Sequence, residues 1–263
     1  MAHQANGKHQ LIDDPPRATI MTSGQEHKQP SAITQQPLLR HQFPPAFNLY
    51  QESSFSQRRF TLGEHQATPL YAVTVHSGWS GKPKVILHSG PTDTSPPLAA
   101  IDNEIFGCGS PPEVMPPSRN RPFAQRLHDS SGLGFATFTF SCQTAMVTGG
   151  QRIETYQWRH SRGNEVKALG GHGSGWKLVR VAPDAPAPSG ATFASDGREV
   201  VAAFAWASGS LTKKIKFRFL GSGESGNLGE RWAVMAVATA LKIWARERRQ
   251  RQVAPVSAGG GGA

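Results

Sequence analysis

Between residues 58 and 219 apolar and polar side chains alternate in short runs. Tyr71, Val73 and Val75 share a face against Ala72, Thr74 and His76. Ala136, Phe138, Phe140 and Cys142 oppose Thr137, Thr139 and Ser141, and Tyr156 and Trp158 alternate with Thr155, Gln157 and Arg159. Ile215, Phe217 and Phe219 face one way while Lys214, Lys216 and Arg218 face the other. Further strand candidates are 84–88, 98–106, 123–128, 176–181, 191–194 and 200–207, with Gly, Pro and Asp between them. A period of two broken by turn residues predicts a meandering antiparallel sheet. About ten or more such strands close into a barrel or stack as a sandwich, because open edges invite association.

The last element breaks this pattern. After Leu228, Gly229 and Glu230 comes a helical run in which Trp232, Val234, Met235, Ala236, Val237, Ala238, Leu241, Ile243 and Trp244 leave no polar stripe. A helix apolar on every side is buried. Thirteen residues span roughly 20 Å, the height of a barrel built from strands of about five or six residues. The pattern predicts a β-barrel closed around one buried C-terminal helix. A helix held between a sheet and a partner chain would show the same pattern.

Composition divides the chain. Residues 1–57 are rich in Gln, Pro, His and Ser and lack apolar periodicity up to Phe43–Phe47, where Pro44 and Pro45 interrupt it. They are expected to form a disordered arm. The folded part is expected over 58–252, followed by a Gly-rich flexible tail at 253–263. The net charge is +10. The arm balances Lys8, Arg17, Lys28 and Arg40 against Asp13, Asp14, Glu26 and Glu52, so the excess lies after residue 57. A basic domain attracts phosphate-rich partners, although a basic surface also serves solubility alone. Cys108 and Cys142 are distant and form no CxxC pair, which argues against a disulfide or zinc scaffold. The N-terminal residues carry no signal-peptide core, no Asn-x-Ser/Thr sequon occurs, and no apolar run reaches the roughly 20 residues of a membrane span. A cytoplasmic protein is expected, peripheral to a membrane or nuclear.

The stretches PLYAV at 69–73, WKLVRV at 176–181, DGREVVA at 196–202, KKIKFRF at 213–219 and LGERWAVMAVATALKIWARERRQR at 228–251 carry a resemblance. They resemble fungal proteins of the tubby C-terminal-like superfamily, which includes plant LURP-one-related proteins and, distantly, phospholipid scramblases. The likeness covers residues 68–250. It implies an antiparallel barrel of about twelve strands threaded by the C-terminal helix and, from the tubby proteins, phosphoinositide binding at membranes. Two features depart from the scramblases. Residues 220–228 hold one acid, Glu224, where an acidic calcium loop would lie, and there is no cysteine cluster for acylation. Scramblase activity and acyl anchoring are therefore not implied. No tubby phosphoinositide motif matches, so no ligand residue is carried over from that family.

Candidate chemistry is sparse. Gly221, Gly223 and Gly226 fit GxGxxG before a helix, but no second parallel strand follows, so a turn is expected. Gly171–Gly175 lacks the GxSxG spacing and reads as a hairpin loop. The histidines form no HExxH, and Asp102 and Glu104 read as solvated surface. No catalytic residue, metal ligand or cofactor is assigned, and no enzyme is expected. Two basic clusters remain. Lys213, Lys214, Lys216 and Arg218 lie on one strand; Arg246, Arg248 and Arg249, with Lys242 and Arg251, oppose only Glu247 at the helix end. Cations there also offset the helix dipole. The expected function is a non-catalytic module whose basic face meets anionic lipid headgroups, phosphoinositides among them, or acidic partners. The alternatives are a nuclear regulator that meets nucleic acid and an adaptor that takes a protein partner through residues 1–57.

Overall fold

The computed structural model describes residues 42–53, 56–76, 80–101, 113–114, 123–124, 128–132, 135–145, 151–182 and 187–253. They form a mainly β structure. One large antiparallel sheet carries the chain, and a C-terminal helix packs against it.

The first half of the chain supplies β1 (Ala46–Gln51), β2 (Arg59–Gly63), β3 (Tyr71–Val75), β4 (Val85–His88), β5 (Pro97–Ile101), β6 (Glu113–Val114) and β7 (Phe123–Ala124). The second half supplies β8 (His128–Gly132), β9 (Phe135–Ala145), β10 (Gln151–Ser161), β11 (Gly175–Arg180), β12 (Thr192–Phe193), β13 (Glu199–Trp206) and β14 (Lys213–Phe219). Among the described residues three helices intervene or follow: α1 (Asn164–Lys167), α2 (Gly221–Glu224) and α3 (Glu230–Val253). The ladder runs β7-β6-β5-β4-β3-β2-β1-β14-β13-β11-β10-β9-β8, with β12 on β13. Both halves are meanders, and the pairing of β1 with β14 joins them. The end strands β7 and β8 do not pair with each other.

The arm expected over 1–57 is therefore too long. Phe43, Phe47 and Leu49 are buried in the core, and β1 is a central strand between β2 and β14. Pro44 and Pro45 hide the period-two pattern without preventing the strand, because they precede it. The carbonyl of Pro45 still accepts a hydrogen bond from the Phe219 N–H at 2.8 Å. The remainder of the arm, 1–41, and the tail from 254 lie outside the described residues. So do Cys108, Asp102 and Glu104.

Alternation along β14 is as the sequence predicts. Ile215, Phe217 and Phe219 are buried, and Phe217 stacks on Phe47 of β1 at 4.7 Å. Residues Val234–Leu241 of α3 are all buried. At about 100° per residue, eight successive positions sample every side of a helix, so no side of this stretch faces water. Its neighbours come from both halves of the sheet. Trp244 meets Phe60 of β2 and Trp206 of β13, while Trp232 meets Tyr156 of β10 and Phe219 of β14. The backbone of α3 also runs close to β4, β5 and β9. The one polar side chain in the buried run is satisfied: Thr239 donates to the Met235 carbonyl and accepts from Trp158 Nε1 at 2.9 Å. Gly229, at φ 85°, sets the entry into the helix, a left-handed backbone that favours glycine.

Candidate functional site

The seven basic residues of interest do not form one face. Lys213 and Lys214 open β14, at the end of the sheet where α3 finishes. The strand then carries Lys216 and Arg218 away, at roughly 3.3 Å per residue. Lys216 Nζ donates to the Gly170 carbonyl at 2.8 Å, over the loop that leads into β11. Arg218 lies 3.9 Å from Glu224 of α2, at the opposite end of the sheet. Lys213 sits over the Tyr50 ring at 5.5 Å, and Lys214 donates to the Leu211 carbonyl at 2.8 Å.

The helix end joins the first two lysines. Burial, and then the nearby Arg248 guanidinium, hold Lys214 below the usual lysine range. Arg248 donates from Nη2 to the Gln57 carbonyl at 2.8 Å and lies over Phe60 at 5.0 Å. Arg246 lies over Phe138 at 5.3 Å, and Arg251 over Trp206 at 4.0 Å. Arg249 is exposed. The guanidinium groups of Arg246, Arg248 and Arg251 thus lie over the aromatic rim around the emerging helix, where ring faces attract cations. The one acid among them ties the helix to the sheet: Glu247 accepts from Trp176 Nε1 at 2.8 Å and from Trp206 Nε1 at 2.6 Å.

Cations from the first half of the chain belong to this end as well. Arg58 and Arg59 precede and open β2, and Lys82 precedes β4. Burial first, then Lys82, Arg58 and His88, pull the His76 imidazole below its usual pKa, which places this group beside His76 at the end of β3. Antiparallel pairing is the reason. The start of β2, the end of β3, the start of β4 and the start of β14 all lie at one edge of the sheet. Arg59 is partly neutralised by Asp93 at 3.3 Å; Arg58 and Lys82 are exposed.

A second polar cluster looks catalytic by composition. Arg180 of β11, 3% exposed, donates to Glu154 at 2.9 and 3.0 Å and to Glu199 at 2.8 Å. Tyr156 donates to Glu154 at 2.7 Å, Arg152 pairs with Glu154, and the Ser222 N–H donates to Glu199 at 2.7 Å. Burial raises the Glu154 pKa, but hydrogen bonds from Arg180, Tyr156 and Arg152 outweigh it and hold the carboxyl below its usual value. Burial, then the charge of Glu154, push the Cys142 thiol far up, so it is a poor nucleophile. Each member of this network points to another member, and the two carboxylates are matched by two guanidiniums. The network fastens α2 to β10, β11 and β13. The GxGxxG segment accordingly begins as the short helix α2 rather than a turn, with Ser222 and Gly223 buried.

Among the described residues no group of three metal-ligating side chains occurs, and no helix is long and apolar enough to cross a membrane. No protein-family model, curated protein or solved structure matches the chain.

Proposed function

We propose that the sheet closes into a barrel around α3 and that the end where the helix emerges docks on anionic membrane surfaces bearing phosphoinositides. Barrel closure is supported by the burial of α3 on every side and by its neighbours from both halves of the sheet. It also accords with the resemblance to the tubby C-terminal-like superfamily. The observation that carries the docking reading is the gathering of Lys213, Lys214, Arg58, Lys82, Arg246, Arg248, Arg249 and Arg251 at one end, from separate parts of the chain. Leu211 favours a bilayer over a soluble anion. It lies between β13 and β14, is 94% exposed, and stands beside Lys213 and Lys214. An apolar tip flanked by cations can enter the headgroup layer while the charges meet phosphates.

Sedimentation with vesicles containing phosphatidylinositol phosphates tests this reading. Each cation near the surface contributes about 1 kcal/mol. Replacing Arg58, Lys214 and Arg249 by Gln should therefore weaken binding by roughly 100-fold. Screening shortens from about 8 Å at physiological salt, so about 0.5 M salt should release the wild type. Replacing Lys216 and Arg218 by Gln should change binding little, because they leave this end. Equal binding by the two variants would remove the basic end from the account. Preference for an oligonucleotide over vesicles would favour nucleic acid instead.

A further inference from the structure

At the opposite end of α3 lies a pocket of about 190 Å³. Phe43, Phe219 and Trp232 form its aromatic walls, and Glu224, Glu230 and Gln42 its polar lining. The ring of Phe219 stands 6.4 Å from that of Phe43 and 5.7 Å from that of Trp232. Gly223 keeps one wall close: a Cβ there would come within 2.6 Å of the Trp232 ring and 2.3 Å of the Val201 carbonyl oxygen. Two lining groups have a polar atom left unsatisfied by the described residues. Trp232 is 1% exposed, yet its indole N–H has no partner among the described residues, and neither has the buried side-chain oxygen of Gln42. Buried polar atoms nearly always find a partner, and an exception calls for a reason.

The charge of the lining identifies the ligand class. Glu230 makes no ion pair among the described residues, and Glu224 faces only Arg218 at 3.9 Å. The start of α3 contributes the equivalent of roughly half a positive charge. With that and Arg218 both counted in full, the remaining carboxylate still leaves the pocket negative. Aromatic faces beside carboxylates favour an organic cation, whose charge is drawn to the ring quadrupole and whose alkyl groups displace water from the walls.

We infer that this pocket binds a small organic ammonium carrying a hydrogen-bond acceptor. The ammonium lies between Phe219, Phe43 and the two carboxylates, and the acceptor takes the indole N–H of Trp232. The inference is independent of membrane docking, because the pocket and the basic end occupy opposite ends of the helix.

Choline is a suitable probe, with 3,3-dimethylbutanol as its uncharged isostere. Titration into the full chain, followed by the Trp232 indole N–H resonance in a nitrogen–proton correlation spectrum, should give a saturable shift with a Kd on the order of 1 mM. The isostere should leave that resonance in place. Glu230→Gln should weaken choline binding by about tenfold. Because Glu230 is exposed, its melting temperature and vesicle sedimentation should stay as in the wild type. Equal shifts from choline and the isostere would reduce the site to an apolar cavity. Unchanged affinity in Glu230→Gln, or no saturable shift with choline, would overturn the proposal.

Discussion

Ending the chain after Gly229 should leave a protein with no cooperative melt. The truncation removes α3, and with it Trp232, Val234, Met235, Leu241, Ile243 and Trp244 from the main hydrophobic cluster. Strands β2, β10, β13 and β14 would then turn aromatic side chains toward water or toward one another. Single substitutions scale the effect. Trp232→Ala and Trp244→Ala should each cost about 3–5 kcal/mol, a large share of the roughly 5–15 kcal/mol that holds a domain folded. Neither indole N–H has a hydrogen-bond partner among the described residues, so the loss comes from packing. Phe replacements, which retain most of the ring, should cost less. Urea unfolding followed by far-ultraviolet circular dichroism measures all of these. A truncated chain that stays monomeric and melts in one sharp transition would show that the sheet does not depend on the helix.

Arg180→Met should be nearly as damaging. Methionine fills much of the same space but leaves Glu154 and Glu199 buried with Arg152 as the only cation among the described residues hydrogen-bonded to either. Removing one partner of a buried ion pair typically costs about 3–5 kcal/mol. The deficit should depend on pH, with a defined sign. In the folded protein the Glu154 pKa lies below its unfolded value. The stability it contributes is complete above the unfolded pKa and disappears as pH falls through the folded one. The gap between wild type and Arg180→Met should therefore be widest near neutrality and shrink in acid. A gap that stayed constant with pH would mean that lost packing, rather than stranded charge, sets the cost.

Alternation made β14 and β10 legible, and the absence of a polar stripe did the same for α3. These signals are local, and each needs only a handful of residues. β1 is not legible because Pro44 and Pro45 interrupt the spacing of Phe43, Phe47 and Leu49, and the polar composition before them reads as disorder. The basic end was half legible. Lys213, Lys214 and Arg246–Arg251 stand out as runs, whereas Arg58 and Lys82 join them only once strand directions are known. The same step separates Lys216 and Arg218 from that end, because a shared strand face extends along the whole strand. The buried network left a fainter trace. Glu154 shares its side of β10 with Tyr156 and Trp158, and Arg180 shares its side of β11 with Trp176 and Leu178. A charge in phase with large apolar residues marks a buried pair, but its partners lie tens of residues apart. The pocket had no sequence signal, because Phe43, Phe219 and Trp232 come from three separate segments.

The orientation of the molecule at a bilayer tests the account most directly. Spin labels can be placed at Leu211→Cys, beside the basic end, and at Asn227→Cys, beside the pocket, each in a Cys108→Ser background. Cys142 is buried and should not react. With vesicles containing phosphatidylinositol phosphates, the label at 211 should gain access to oxygen and lose access to a water-soluble nickel chelate, while the label at 227 stays in water. Both labels remaining aqueous on bound protein, or the label at 227 being the one that enters the bilayer, would contradict docking through the basic end.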